Sequence, residues 1–426
     1  MDYKESIRFL NSLNNFEVKR DAKYKKSYTL KAIKELNRIL DLNEYKPKIF
    51  HVAGTNGKGT CATAFSSLLI ANDIRTGLYT SPHILSIRER IKVDNENISV
   101  QDFIWSISQI KRIIERIKPS PTYFDVLTSA AMLHFQKKNC SWVVLETGLG
   151  GRLDSTNVYI PTVCAITSIG IDHTDKLGSD EKSIALEKAG ILKSGVPVVL
   201  GKLNSNARNV IVSKAKELNC SVSEFGKDFY VMHKTVSLKN NTHFFYRPDN
   251  MPVSIDSVID SVSVNASIAI RSAKVAGIKS FNGFKSFNLP GRFDIINENP
   301  LAVISGAHNA AAAKDLYMTL INLFKGKTIH FVLGFLKNKD FLGFFSEIKN
   351  IASAITIYPI ENINDNSGEV FKELEFRFEE IELANSFEDL QTRINNLNTD
   401  LIVFSGSFYL CSQVLQKKEK IFSNKC

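Results

Sequence analysis

A chain of 426 residues that is 44% hydrophobic is too long for one typical domain and rich enough to bury two or three cores. Its 54 basic against 44 acidic residues leave a net charge of +10, which suits an anionic small molecule better than nucleic acid, because the basic residues are dispersed and no RNP-like aromatic-glycine motif accompanies them. Six scattered cysteines without a C-x-x-C pair argue against a disulfide framework or zinc site, and neither the mixed-charge amino terminus nor any later apolar run suits a secretory or membrane-spanning segment, so a soluble cytoplasmic protein is expected.

In chain order, KAIKELNRILDLN places Ile33, Leu36, Ile39 and Leu40 on one helical face, with Thr29 available as a cap. KIFHVAG reads as a buried strand, CATAFSSLLIAND as a helix and TGLYT as a second strand. Between the first strand and that helix lies HVAGTNGKGT, residues 51–60, which departs from the usual G-x-x-x-x-G-K-[ST] because Gly59 stands between Lys58 and Thr60. Further strands are predicted at SWVVLET, TVCAITSIG and VPVVLG, with helices at FDVLTSAAMLHFQKK and SIALEKAGILK. This alternation argues for a parallel sheet flanked by helices. Residues 203–254 read as short polar-rich strands, FNGFKSFNLPG as a linker, and LAVISG, TIHFVLGF, AITIYPI and LIVFSG as a second alternating sheet. The expected architecture is α/β: an N-terminal P-loop-type parallel-sheet ATPase domain over residues 1–284, then a smaller Rossmann-like domain over residues 285–426.

Three stretches carry chemistry. Gly54, Gly57 and Gly59 let backbone amides approach a phosphate, Lys58 offers a compact cation for the β/γ-phosphates, and Thr60 a hydroxyl for magnesium. The bland reading, a glycine turn before a helix, is weaker given the lysine and the strand–loop–helix setting. VVLETGLGGRLDSTN ends a strand at Glu146, and AITSIGIDHTD ends another at Asp172 and His173. In a parallel sheet these ends share the rim that carries the phosphate loop, where an acid can hold magnesium. Glu187 and Lys188 of LEKAGILK follow on a helix, where periodicity alone suggests a solvated face.

HVAGTNGKGT, TSPHILSIRERI, LETGLGGRLDSTN, ITSIGIDHTDKLG and IALEKAGILKSGVPVV, followed by LPGR, AHN, KNKD and SGSFYL, together resemble the folylpolyglutamate synthase/dihydrofolate synthase family of the Mur ligase superfamily over nearly the whole chain. The resemblance implies ATP-dependent ligation of L-glutamate to dihydropteroate, reduced folates or both, through an acyl phosphate. It assigns Gly54, Thr55, Asn56, Gly57, Lys58, Gly59 and Thr60 to ATP, with Asn265, Arg292 and Ser305 from later in the chain. Thr60, Ser81 and Glu146 would surround one magnesium ion and His173 a second, and Lys188 would be carbamylated and join the metal ligands. Thr122, Phe124, Asp125, Asp154 and Ser155 would meet the pterin, with residues 28–30, beginning at Tyr28, as another folate segment; His308 and Ser407 would handle glutamate and the reacting phosphate. Lys58, Lys188 and His308 are the catalytic candidates. Only small-molecule partners, and a monomer, are expected.

The chain departs from the family at four places. SGAHNAAAA stands for D-G-A-H-N-P, so Ser305 replaces an aspartate and Ala310 a proline that would open a helix; Ser261-Val262 replaces H-Q; and Asp125 replaces a common glutamate. Two competing readings are a Mur-type ligase acting on another acid and a nucleotide-binding regulatory module with reduced activity.

Overall fold

The computed structural model describes residues 1–15, 29–172, 174–178, 180–237, 241–281, 283–284, 287, 289–337, 339–361 and 364–422. A first helix, α1 (Tyr3–Ser12), and α2 (Lys31–Ile39) pack outside an eight-stranded sheet. α2 begins one residue later than a Thr29 cap would require. Leu30 occupies its N-cap with no side-chain hydrogen bond, so burial of Ile33 and Leu36 fixes this helix instead.

The strands of the large sheet are β1 (Lys48–Ala53), β2 (Thr76–Tyr79), β3 (Ile91–Val93), β4 (Glu96–Asn97), β5 (Trp142–Glu146), β6 (Val163–Ile166), β7 (Val198–Leu200) and β8 (Val222–Glu224). Their order is β4-β3-β2-β5-β1-β6-β7-β8, with the β2–β3 and β3–β4 pairs antiparallel and the other neighbours parallel. Phe50 is in register with Val144 on one side and Val163 on the other, so β1 is the central strand and its carboxyl end opens at the middle of the sheet.

From that end the chain enters α3 (Lys58–Ala71), whose residues from Thr60 to Leu69 are all buried. Such a helix shows almost no amphipathic period, because it is enclosed on both sides. The sheet lies on one side, where Phe65 stacks on Phe50 at 4.1 Å, and the helix Val262–Val275 lies on the other. The small residues Cys61, Ala62, Ala64, Ser66 and Ser67 permit that double contact, while each fully buried Phe or Leu in the layer contributes roughly 1.5–3 kcal/mol. Helices α4 (Val100–Lys111) and α5 (Tyr123–Lys137) cover the opposite sheet face. A short α6 (Thr174–Leu177) precedes α7 (Glu181–Ala189).

Residues 203–254 do not consist of strands alone. They begin with a 13-residue helix, α8 (Ser205–Glu217), capped by Asn204, which accepts from the Ala207 amide. Its buried face is only Ala207, Ile211 and Ala215. Two alanines and one isoleucine give too narrow an apolar stripe to register as a helical period. A three-stranded antiparallel sheet follows, formed by β9 (Tyr230–Ser237), β10 (Asn241–Arg247) and β11 (Met251–Ile255). Then comes α9 (Val262–Val275).

The second large sheet contains β12 (Arg292–Glu298), β13 (Leu301–Ser305), β14 (Ile329–Leu333), β15 (Ala354–Ile357), β16 (Ile381–Leu383) and β17 (Leu401–Ser405), in the order β12-β13-β17-β14-β15-β16. All its pairs are parallel except β12 with β13. Helices α10 (Ala310–Leu323), α11 (Phe341–Ile348), α12 (Ser367–Leu374), α13 (Phe387–Asn396) and α14 (Phe408–Ile421) cover it. Ala310 does begin α10, with Asn309 accepting from the Ala312 amide, so the missing proline costs the helix little. Cys61, Cys140, Cys164, Cys220 and Cys411 are buried free thiols; Cys426 lies outside the described residues. No helix among the described residues is long and apolar enough to cross a membrane.

Candidate active site

A cleft of about 420 Å³ lies where the carboxyl ends of the two parallel sheets face one another. Its lining includes the cations Lys58, Arg90, Lys176, Lys188, Arg292 and Lys339 against the carboxylates of Glu146 and Asp172. Even without Lys188, five cations against two acids are a surplus suited to a polyphosphate.

The phosphate loop is held from β6's side. Thr55 N donates to Ser168 O at 2.8 Å, Asn56 N to Ser168 Oγ at 3.0 Å, and Thr167 Oγ1 to Asn56 O at 2.7 Å. Those bonds fix the loop and leave the first-turn amides of α3, which no helix can satisfy internally, directed at its amino-terminal end. Gly57 has φ +80°, and a Cβ there would lie 2.4 Å from Asn265 Oδ1; Gly54 is similarly pressed, with Thr167 Oγ1 2.0 Å from a Cβ position. Lys58 Nζ donates to Thr55 O at 3.2 Å, and burial lowers its pKa although Glu146 and Asp172 oppose the shift.

Ser81, after β2, meets Glu146 at the end of β5, whereas Thr60, in the first turn of α3, is buried and is not among the residues lining the cleft. Ser81 N donates to Glu146 Oε2 at 3.0 Å, and a Cβ at Gly59 would stand 3.4 Å from the same oxygen. Glu146 is only 2% exposed, and burial raises its pKa against the pull of Lys58. A carboxylate oxygen is the hard donor that magnesium takes, and Glu146 lines the cleft beside Ser81 and Lys58. His173, the expected ligand of a second ion, lies outside the described residues, as does Tyr28.

Lys188 is not on a solvated face. It is 4% exposed, and its Nζ donates to Gly54 O at 2.8 Å, tying α7 to the base of the phosphate loop. Desolvation, then the nearby Lys58 charge, lower its pKa to about 7. The turn after β5 docks on the same helix: Arg152 N donates to Glu187 O at 2.8 Å, and a Cβ on Gly151 would press on that carbonyl. Periodicity could not reveal this, because the buried contact is made through a loop distant in sequence.

The residues expected at the pterin form a buried hydrogen-bonded block beside the cleft rather than its wall. Asp125 Oδ2 accepts from Thr122 N at 2.9 Å and Thr122 Oγ1 at 2.8 Å, closing a capping box on α5, while Ser155 Oγ donates to Oδ1 at 2.6 Å. Asp154 Oδ2 accepts from the Gly148 and Leu149 amides at 2.8 and 2.9 Å, and Oδ1 from Thr156 N at 3.0 Å. Burial raises the Asp154 pKa to about 6. Phe124 is half-buried, 5.7 Å from the Tyr79 ring, and packs on Gly148, which does line the cleft.

The smaller lobe contributes the opposite wall. The Arg292 guanidinium lies 4.7 Å over the Phe408 ring. His308 Nδ1 is 2.8 Å from Gly306 O and its Nε2 3.8 Å from Asp172 Oδ2; burial, then Lys339, lower its pKa. Ser407 Oγ accepts from Leu410 N at 3.1 Å as the N-cap of α14. Asn265 packs against Gly57 behind the loop, and Ser305 ends β13 with its carbonyl accepting from Ser405 Oγ, so neither lines the cleft.

At the lobe boundary, Asn309, Lys339 and Arg90 carried no assigned role in the sequence, and the first two meet residues that did. Asn56 and Asn309 exchange side-chain amide bonds at 3.1 and 3.2 Å, Asn309 Nδ2 also donates to Asp172 Oδ2 at 3.1 Å, and Lys339 Nζ reaches Asp172 Oδ1 at 3.0 Å. Arg90, whose Nε donates to His83 Nδ1 at 2.8 Å, lines the cleft too. AHN, KNKD and TSPHILSIRERI contain Asn309, Lys339 and Arg90, but nothing in their spacing says that they converge with Asn56 and Asp172.

Residues 52–297 match the Mur ligase middle domain and residues 291–408 the Mur ligase glutamate ligase domain. The chain is 30% identical to a folylpolyglutamate synthase of Lacticaseibacillus casei over 434 residues, covering 98% of each chain. It is also 30% identical to a dihydrofolate synthase/folylpolyglutamate synthase of Escherichia coli, covering 87% of this chain and 86% of that one. Among solved structures, the apo form of the L. casei enzyme superposes with a TM-score of 0.83 at 28% identity, covering 98% of this chain and all of the other. An FPGS–AMPPCP–folate complex superposes with a TM-score of 0.85 at 29% identity and the same coverage. The chain therefore belongs to the Mur ligase family, in its folylpolyglutamate synthase/dihydrofolate synthase branch, and is an ATP-dependent ligase.

Proposed function

We propose that this enzyme joins L-glutamate to dihydropteroate, to reduced folates, or to both, with residues 1–284 carrying ATP and the folate and residues 285–426 completing the glutamate side. A carboxylate oxygen of the acceptor attacks the γ-phosphorus of ATP, and ADP leaves. The α-amine of glutamate then attacks the acyl carbon, inorganic phosphate departs, and the amine gives up its proton. The observation that carries this reading is one cleft in which the α3 amides and Lys58 face Arg292, His308 and Ser407 of the other lobe.

In both steps negative charge gathers around the phosphoryl group, so fixed cations and amides supply most of the catalysis. Lys58 holds the β/γ-phosphates; Arg292 takes a further phosphate oxygen; Asn265, expected on the adenine side, supports the loop from behind Gly57. His308, neutral because it is buried, and Ser407 handle the incoming glutamate and the phosphate being released. Thr60, Ser81 and Glu146 would hold one magnesium ion and His173 a second, and magnesium bound there would neutralise phosphate charge. Lys188 is carbamylated, since an amine with a pKa near 7 has the free electron pair that adds to carbon dioxide with loss of one proton. Thr122, Phe124, Asp125, Asp154 and Ser155 shape the pterin side, the carboxylates by fixing backbone. The enzyme works as a cytoplasmic monomer.

Phosphate release is the test. Purified enzyme with ATP, magnesium, glutamate and either dihydropteroate or tetrahydrofolate should release phosphate above the acceptor-free blank. Inertness with both acceptors would remove the proposal, and tight ATP binding without turnover would favour a regulatory nucleotide binder.

A further inference from the structure

Helix α9 begins with no side-chain cap of its own: Ser261 sits at its N-cap position without bonding to the first turn. Its support comes from the other lobe. Ser261 N donates to Asp315 Oδ1 at 2.8 Å and Ser261 Oγ to Asp315 Oδ2 at 2.6 Å. One turn further along α10, Thr319 Oγ1 accepts from Asp260 N at 3.0 Å. Two side chains on one face of α10 thus grip the two residues that lead into α9.

Ser261 in turn holds Asn265. Asn265 Nδ2 donates to Ser261 O at 3.1 Å and stands 3.4 Å from Ser261 Oγ, and Asn265 Oδ1 abuts Gly57, where a Cβ would lie 2.4 Å away. A continuous set of contacts therefore runs from Asp315 through Ser261 and Asn265 to the flank of the phosphate loop. The Asp315 carboxylate also lies at the positive end of the α9 dipole. After Glu146, it is the acid whose field most favours the Arg292 charge. Arg292 is in register with Ser305 across β12 and β13, which puts this acid's influence where the family's aspartate is lacking.

We infer that Asp315 is a positioning residue for the nucleotide: from the smaller lobe it sets the start of α9, and through Ser261 and Asn265 it sets the phosphate loop at Gly57. The inference rests on the reading of that loop as the ATP site. Because the contact spans the lobes, it would serve the nucleotide and not the glutamate or folate ends of the cleft.

The test is calorimetric titration of the full chain with magnesium and a non-hydrolysable ATP analogue, beside steady-state kinetics. Asp315→Ala should weaken analogue binding about tenfold, equivalent to about 1.4 kcal/mol. The ATP KM should rise in parallel, while kcat and the KM values for glutamate and folate stay within about twofold. Asp315→Asn keeps one acceptor oxygen and Ser261→Ala keeps the backbone bond, so each should cost about threefold. Unchanged analogue affinity in folded Asp315→Ala would overturn the inference, as would a uniform shift of all kinetic constants. If that variant fails to fold, wild-type affinity in both Asp315→Asn and Ser261→Ala overturns it instead. Failure of the wild-type chain to bind the analogue would sink the ATP site itself, a separate and distinguishable result.

Discussion

Replacing Lys188 with methionine should change how the stability of the large lobe depends on pH. In the folded chain the Lys188 amine titrates near 7, whereas an unfolded lysine titrates near 10.4. Between those values the unfolded state binds the extra proton, so raising the pH favours the folded state. At pH 7 the mismatch costs about 4 kcal/mol, and at pH 9 about 2 kcal/mol, using 1.36 kcal/mol per pH unit. Lys188→Met carries no such cost at either pH. Its loss of the bond to Gly54 O is independent of pH.

The stability difference between variant and wild type should therefore shift by about 2 kcal/mol from pH 7 to pH 9, in the wild type's favour. Both tryptophans, Trp105 and Trp142, belong to the larger lobe, so urea unfolding followed by their fluorescence reads the relevant region. Carbon dioxide is removed from the buffers so that the free amine is compared. A difference that stays constant across this pH interval would refute the depressed amine, and with it the chemical premise for carbamylation.

Lys58→Ala should lower kcat at least a hundredfold in the phosphate-release assay while leaving the thermal midpoint nearly unchanged, because bonds from Thr55 and Asn56 hold the loop; near wild-type turnover would show that the loop does not grip the transferring phosphate. Gly57→Ala should fail twice, through positive φ and through collision with Asn265 Oδ1. An expected stability loss of about 1–3 kcal/mol is measurable by urea unfolding, and an unperturbed variant would mean that the loop readily adopts another path. Asp154→Ala strands the Gly148 and Leu149 amides and should raise the acceptor KM several-fold with little change in ATP KM; the reverse pattern would place Asp154's influence on the nucleotide side.

The sheets and the phosphate loop could be read directly from the sequence because buried parallel strands are continuous apolar runs and glycine spacing encodes backbone approach. Other features depend on tertiary placement. α8 has too little apolar surface to announce itself, and Thr29 is a good capping residue that α2 does not use. Lys188 looks solvated in a periodic plot because nothing local reveals that Gly54 O and the turn at Gly151 cover it. Asp125 and Asp154 have the residue type expected at a ligand, but their oxygens are engaged with Thr122, Ser155 and nearby amides. The Asn56–Asn309 and Asp172–Lys339 pairs join residues more than 160 positions apart, beyond any local pattern.

The enclosure of α3 on both flanks also bears on how ligands enter and leave. A rod gripped by a sheet and a second helix is an anvil: it offers no give when nucleotide arrives or departs. Any widening of the cleft must then come from its far jaw, against the Asn56–Asn309 amides, the Lys339–Asp172 clasp and the Asp315–Ser261 bonds that fasten the lobes together.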